Sequence, residues 1–324
     1  MNRLDFTLVT TCRNEIRSFD RWKQNVIEQT RPPSEIVIVD AFSDDGTAEK
    51  LFEWASSDKR VKVIQEKGAA AHGRNLAIKN AKHEIILSTD MGVRLSDNWC
   101  EELIKPFEAD PTVEVVAGNT CIDKDTVKTV AARAEYYYEN GGESKLGPGF
   151  VPGNRSVAYT KKVWSKLGGL PEDLTFYADD SVFGRQMVQA NLNISYAPLA
   201  MTYWARPQKL KQFFREQYVY GRGGGEAFIK TPIAFKLYLE RKVPLSSVPI
   251  IQAFTPFLKT KLYVGMIRAI RNADIKVMFT MPVLIAGKAY HNAKGYAFGY
   301  SVGTVKCTQC RNRLKRDCIG FSLF

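Results

Sequence analysis

Over the first 120 residues, short apolar runs alternate with amphipathic ones. FTLVTTC (6–12), EIVIVDA (35–41), VKVIQE (61–66), HEIILSTD (83–90) and VEVVAGNT (113–120) are rich in β-branched residues and bounded by turn formers, as strands are. Between them, apolar spacing predicts helices around 17–30, 46–57, 70–81 and 97–109. Such βα alternation with short connections predicts an α/β fold: a mostly parallel sheet flanked by helices on both faces. From about 125 a helix, TVKTVAARAEYYYEN, leads into the Gly-rich loop GGESKLGPGFVPGN and a strand, GNRSVAYT. A short helix over Lys161–Leu167, the turn GGLPED and the acidic DDSVFGRQMVQA follow, and the strand ISYAPLAMTYW closes this body near 204.

Charge divides the chain differently. Residues 1–199 hold 25 Lys/Arg against 29 Asp/Glu, a net of −4, whereas 200–324 hold 21 against 5, a net of +16. A basic tail on a near-neutral body implies an acidic partner. The tail also interleaves its basic residues with apolar and aromatic ones, as in FLKTKLYVGMIRAIR and IKVMFTMPVLIAGKAY. Single-stranded nucleic-acid binders combine basic and aromatic residues too. The aliphatic share here favours helices lying on an anionic membrane surface over nucleic acid. The expected division is therefore 1–205 for the α/β body and 206–324 for a mainly helical, membrane-associating region. No apolar run reaches the length that spans a bilayer; Val243–Leu258 and Val277–Gly287 are short or interrupted. The opening MNRLDFTLVTT runs into a strand, so no signal peptide is expected, and the six scattered cysteines suit reduced thiols. Cys307 and Cys310 form a lone CxxC with no clear fourth zinc ligand beyond Cys318. Cys12, Cys100 and Cys121 are expected in or near the core, Tyr136–Tyr138 on a packing face, and Gly223–Gly225 at a hinge between body and tail.

The candidate chemistry sits at strand ends. IVIVDAFSDDGT (36–47) ends a buried strand on Asp40, adds Asp44 and Asp45 in a turn, and opens a helix at Thr47. A dinucleotide site would need glycines there to admit a pyrophosphate. Carboxylates repel phosphate but accept hydrogen bonds from a base or a ribose. The turn is thus either a nucleotide site or a helix cap. Asp90 ends another strand on the same sheet edge. The adjacent Asp179 and Asp180 open a helix, where one acid serves as a cap and the other could act as a general base, its pKa raised by its neighbour. His72 and Arg74 lie near a helix start, where a cation opposes the dipole unless a phosphate or base is near.

The ordered set VTTCRNE (9–15), IVIVDAFSDDGT (36–47), GAAAHGRNLAIKNA (68–81), IILSTDMGVRL (85–95), FVPGNRSVAYTKKVWSKLGGLPEDL (150–174), YADDSVFG (177–184) and YWARP (203–207) resembles the family 2 glycosyltransferases, which have a GT-A fold. The resemblance covers residues 6 to about 222. It implies that the first strand, through Thr10 and Thr11, and Asp40 cradle the base and ribose of a nucleotide sugar, with Glu15 and Arg74 lining the same pocket. It implies further that Asp90 begins the metal and diphosphate motif. Of the acidic pair, Asp180 matches the base that activates an acceptor hydroxyl, and Asp179 its companion.

Three positions depart from the pattern. The usual Asp-x-Asp reads Asp90-Met91-Gly92, which removes the second acid for a Mg²⁺ or Mn²⁺ ion. Trp204 stands where a histidine is frequent, and Glu216 replaces the tryptophan of a Gln-x-x-Arg-Trp signature begun by Gln212 and Arg215. The last departure argues against a processive synthase. The resemblance thus implies a non-processive, inverting transferase that uses a UDP- or GDP-linked donor. It would be cytoplasmic, peripheral to the inner face of the membrane, and would act on a glycan or lipid-linked acceptor in cell-envelope or extracellular glycan synthesis. A non-catalytic nucleotide-sugar-binding scaffold and a nucleotidyltransferase are the alternatives.

Overall fold

The computed structural model describes residues 3–174, 178–230 and 261–313, with backbone alone over 228–230, 261–262 and 303–313. The apolar run 243–258 and Cys318 lie outside the described residues, as do the side chains of Cys307 and Cys310. The chain forms two units: Met1–Cys121, Ser144–Glu172 and Gln186–Trp204 make the first, and Ile122–Glu143, Asp173–Arg185 and Ala205–Phe324 the second.

In the first unit the β-branched runs become β1 (Phe6–Cys12), β2 (Glu35–Asp40), β3 (Val61–Gln65), β4 (Ile85–Ser88), β5 (Val93–Leu95), β6 (Val115–Ile122), β7 (Val157–Thr160) and β8 (Ile194–Trp204). They join one sheet in the order β3-β2-β1-β4-β7-β6-β8-β5. The sheet is parallel over β3, β2, β1 and β4. From β4 onward it turns antiparallel, with β7 pairing against both β4 and β6. The run at 113–120 therefore does not extend the parallel series: the residues after it form α5, and β7 enters the sheet beside β4 instead.

The predicted helices are α1 (Ile16–Ile27), α2 (Thr47–Ser57), α3 (Ala70–Asn80) and α4 (Trp99–Ala109), followed by α5 (Val130–Glu139), α6 (Lys161–Lys166) and α7 (Asp179–Gln189). A core of large side chains, with Phe19, Trp22, Trp54 and Trp99 fully enclosed, packs helices against the sheet. Trp54 meets Phe19 and Trp22 edge to face, each at 6.2 Å between ring centres. Cys12 and Cys100 are buried and Cys121 half-buried.

In the second unit, α8 (Leu210–Lys230), α9 (Lys261–Arg271) and α10 (Ile275–Arg313) follow α5 in sequence. Tyr138, Phe213, Ala269, Val277, Met281 and Leu284 form their common core. Tyr138 is buried and Tyr136 and Tyr137 are half-buried, so the tyrosine triplet is a packing face. The Gly-rich stretch is not a hinge. It lies inside α8, where a Cβ on Gly225 would stand 2.2 Å from the Tyr296 carbonyl oxygen, and one on Gly221 2.1 Å from that of Asn292. From α10, Gly295 and Gly299 meet the α8 backbone in the same way. Glycines four apart on both helices let the two backbones touch, and a hinge reading overlooked that spacing.

Candidate functional site

Strands β1, β2 and β4 run parallel, with Cys12 beside Asp40 and Val9 beside Ser88. Glu15 follows β1, Asp40 ends β2 and Asp90 follows β4, so all three carboxylates belong to the C-terminal edge of one parallel sheet.

Asp40 is fully buried, and its oxygens are engaged. They accept the Ser43 N–H at 3.1 and 3.3 Å, and Oδ2 accepts from Gln65 Nε2 at 3.0 Å. The Cys12 thiol, pushed up by burial and by Asp40 beside it, stays protonated and donates to Oδ1 at 3.7 Å. Asp45 is the capping member of the turn. It accepts the N–H groups of Ile16 and Thr47, both at 3.1 Å, and so ties the starts of α1 and α2 together. Desolvation opposes ionisation of Asp45, but the hydrogen bonds from Thr47 and Ile16 outweigh it and hold the carboxyl low. Asp44 is exposed. Asp45 thus caps the two helices, and Asp40 anchors the turn at Ser43 and the end of β3 at Gln65.

Asp90 faces two guanidiniums. Arg74, on α3, reaches Oδ1 at 2.5 Å, and Arg155 Nε lies 3.8 Å from Oδ2. Arg155 also lies 4.1 Å over the ring of Trp204, and Arg94 lies 3.9 Å over that of Tyr203. Trp204, in the position of the frequent histidine, is therefore the platform for an arginine. Arg155 was not singled out from sequence; the signal available was a lone basic residue between a Gly-rich loop and a buried strand. His72 Nδ1 lies 2.8 Å from a Glu172 carboxylate oxygen, a hydrogen-bond partner for the imidazole near the α3 start. Thr10 is buried, and Thr11 packs under Gly73, where a Cβ would come within 2.8 Å of Thr11 Cγ2.

Glu15 lies beside Gly92. Its Oε1 and Oε2 stand 3.6 and 3.7 Å from the point a Cβ on Gly92 would occupy. Burial pushes the Glu15 carboxyl up against a hydrogen bond from Ser18, and Asp90 and Asp45 push it further. Among the described residues no three His, Cys, Asp or Glu side chains converge as a metal cage. Asp40 is enclosed and bonded to Ser43 and Gln65, so of the three carboxylates on the edge Glu15 and Asp90 are the two left to meet a cation. Mg²⁺ needs only one or two beside phosphate oxygens and water, so this donor set fits a hydrated divalent cation held jointly with a diphosphate.

In the second unit, Asp179 is buried and Asp180 half-buried in the first turn of α7. Asp180 Oδ1 accepts the Ser181 N–H at 2.7 Å. The preceding Ala178 has φ 76°, the left-handed region that costs a side-chain-bearing residue about 1–2 kcal/mol. Among the described residues six non-glycine residues have positive φ, and three of them, Asn14, Phe42 and Ala178, lie within two residues of Glu15, Asp40 or Asp179. Such strain concentrates at functional sites. Arg185, buried further along α7, is within electrostatic reach of Asp180.

The family described as Glycosyl transferase family 2 matches residues 7–166, which carry β1 to β7 and every carboxylate of this edge. That match covers just under half of the chain, and the fold, an α/β sheet flanked by helices with a mainly helical C-terminal region, resembles the GT-A fold. Among curated proteins, the chain is 22% identical over 230 residues to poly-beta-1,6-N-acetyl-D-glucosamine synthase of Staphylococcus aureus, covering 69% of this chain and 55% of that protein. It thus spans about half the length of that relative. It is 27% identical over 261 residues to the O-antigen chain rhamnosyltransferase WbaN of Salmonella anatum, covering 72% of this chain and 81% of that one. Among solved structures, the mannosyltransferase PcManGT from Pyrobaculum calidifontis, in complex with GDP-Man and Mn²⁺, superposes with a TM-score of 0.56 at 18% identity, over 94% of this chain and 88% of that chain. Among the described residues no helix is long and apolar enough to cross a membrane.

Proposed function

We propose that the chain is an inverting, non-processive glycosyltransferase that moves a sugar from a UDP- or GDP-linked donor to an acceptor hydroxyl. The observation that carries this is the carboxylate edge of β1, β2 and β4, with Arg74 and Arg155 turned onto Asp90. Anchored by Asp40, with Thr10 and Thr11 on β1, this edge receives the base and ribose. The two arginines face the diphosphate, whose negative charge grows as the sugar leaves. Asp180, with Asp179 beside it, takes the proton from the acceptor hydroxyl. That oxygen attacks the anomeric carbon from the face opposite the diphosphate, and the sugar–phosphate bond breaks with its electron pair on the phosphate oxygen.

Asp90 and Glu15 would hold a Mg²⁺ or Mn²⁺ ion, which when bound supplies further positive charge to the diphosphate. The solved relative with GDP-Man and Mn²⁺ supports both the donor class and the metal. Residues 1–205 are the donor-binding and catalytic part. The basic residues of 206–324 hold it at the cytoplasmic face of the membrane, where glycan or lipid-linked acceptors of envelope or extracellular polymers reside. Titration calorimetry against UDP- and GDP-sugars, with and without Mn²⁺, tests this reading. One nucleotide class binds with micromolar or tighter affinity, and binding of none overturns it.

A further inference from the structure

Helix α10 is apolar on both sides. One side carries Val277, Met281, Leu284 and Ile285 into the core of the second unit, and Gly295 and Gly299 onto the backbone of α8. The opposite side is bare. Ile275, Phe279, Val283 and Tyr290 are 65%, 78%, 54% and 62% exposed. At the helical angle per residue these four fall within an arc of about 80°, a continuous ridge rather than scattered side chains. On α9, Tyr263 and Ile270 are exposed two turns apart. A helix that is hydrophobic all round is normally enclosed, and a contiguous bare apolar patch marks an interaction surface.

Charge identifies the occupant. Residues 261–313 contain nine Lys/Arg and one acid, Asp274, which is bonded to Arg133. Arg271, Lys276 and Lys294 are exposed, the two lysines beside the ridge. A second copy of this face would bring like charges together, which suppresses docking. An apolar ridge edged by cations matches the boundary between anionic headgroups and acyl chains. We infer that Ile275, Phe279, Val283 and Tyr290 of α10, with Tyr263 and Ile270 of α9, insert into the interface of an anionic bilayer while Lys276 and Lys294 stay at headgroup level. This deepens the membrane part of the proposed function and rests on it for the meaning of the contact, not for the geometry. The backbone contact between α8 and α10 makes the ridge a rigid platform, so little ordering is needed on binding.

The test is flotation of the full chain with phosphatidylcholine vesicles, with and without phosphatidylglycerol, beside light scattering and nucleotide calorimetry. The wild type floats with anionic vesicles, and part of that binding survives high salt. Phe279→Ser with Val283→Ser lowers the partition coefficient at least about tenfold at any salt, because each lost insertion forfeits a sizeable transfer free energy. Lys276→Glu with Lys294→Glu lowers it mainly at low salt. Both variants keep the wild-type thermal midpoint and nucleotide affinity, since the residues are on the surface. An unchanged partition for the serine pair, no flotation of the wild type, or a dimer that the serine pair splits would overturn the inference. So would salt-sensitive binding to single-stranded RNA in place of vesicles. Vesicle binding without affinity for any nucleotide sugar would leave the ridge standing and remove the transferase reading.

Discussion

The carboxylate of Glu15 stands 3.6 Å from the point where a side chain on Gly92 would begin. A carboxylate from the loop after β1 thus occupies the neighbourhood that an acid at position 92 would fill. With Asp90 it gives the two-carboxylate set that a partly hydrated cation accepts. Glu15→Gln should weaken Mn²⁺ binding in the presence of the nucleoside diphosphate by about tenfold or more, read by the free-Mn²⁺ spin resonance signal. Adding Gly92→Asp to that variant should restore much of the affinity, because the space around Gly92 admits a side chain at ordinary contact distance. Equal Mn²⁺ affinity in all three proteins, or full transfer in EDTA, would leave Arg74 and Arg155 as the charges that meet the diphosphate.

The same residue makes a prediction about stability. Burial and the nearby Asp90 raise the Glu15 carboxyl above its ordinary value. Its folded form therefore holds a proton more tightly than its unfolded form, and stability falls as pH rises through the unfolded value of about 4.3 toward the folded one. Glu15→Gln removes this cost. Its melting temperature should exceed the wild type's at neutral pH, and the gain should vanish in acid, where both side chains are neutral. A variant that melts lower at neutral pH would show that the Ser18 bond outweighs the desolvation. A gain in stability with a loss of metal affinity is the expected signature of a carboxylate kept for function.

Asp180→Asn should lower turnover by roughly two to four orders of magnitude while leaving donor affinity within a few-fold, because a base for the acceptor acts in the rate and not in donor binding. Asp179 is the more buried of the pair, so Asp179→Asn should lower the melting temperature as well as activity. If Asp179→Asn is inactive and Asp180→Asn is not, the roles are reversed. If both are active, the acid pair is a helix cap and nothing more.

Asp40 combines two functions that calorimetry and melting can separate. It anchors Ser43 and Gln65, so Asp40→Ala should cost about 1–3 kcal/mol of stability through the unpaired donors it leaves. The nucleoside diphosphate should also bind more weakly, since the pocket edge loses its anchor. Unchanged nucleotide affinity in a destabilised protein would make Asp40 structural only.

Period and capping carried most of the fold. β1, β8, α2 and α3 lie within a residue or so of the segments that apolar spacing marked, because each element's burial pattern is local. The turn to antiparallel pairing at β7 was not legible, since strand direction depends on the path of a long Gly-rich connection. The strand-end carboxylates were legible as residue types at element boundaries. Glu15 beside Gly92 and Arg155 on Trp204 were not, because each joins positions more than forty residues apart whose meeting only the sheet register fixes. The glycines of α8 were visible, but their use depended on matching glycines in α10.

That same dependence on distant partners accounts for Glu216, the residue that departs from the processive signature. It accepts two hydrogen bonds from Arg206, at 2.6 and 2.9 Å, and a third from the Tyr220 hydroxyl at 2.9 Å. Arg206 also donates to the buried Glu135 at 2.7 Å, and its own side chain is almost wholly enclosed. The two carboxylates hold its guanidinium charged and raise its pKa against desolvation. Removing the cation leaves Glu135 buried beside Glu216 without compensation, a loss of about 3–5 kcal/mol for Arg206→Ala. Glu135→Gln with Glu216→Gln in the same chain should recover part of that loss, since neutral amides tolerate burial that paired anions do not. Urea unfolding of the single and combined variants measures the coupling. Additive effects would mean that the three side chains are neighbours without being a network, whereas recovery in the combined variant identifies the ion triad as what holds the start of α8 to α5.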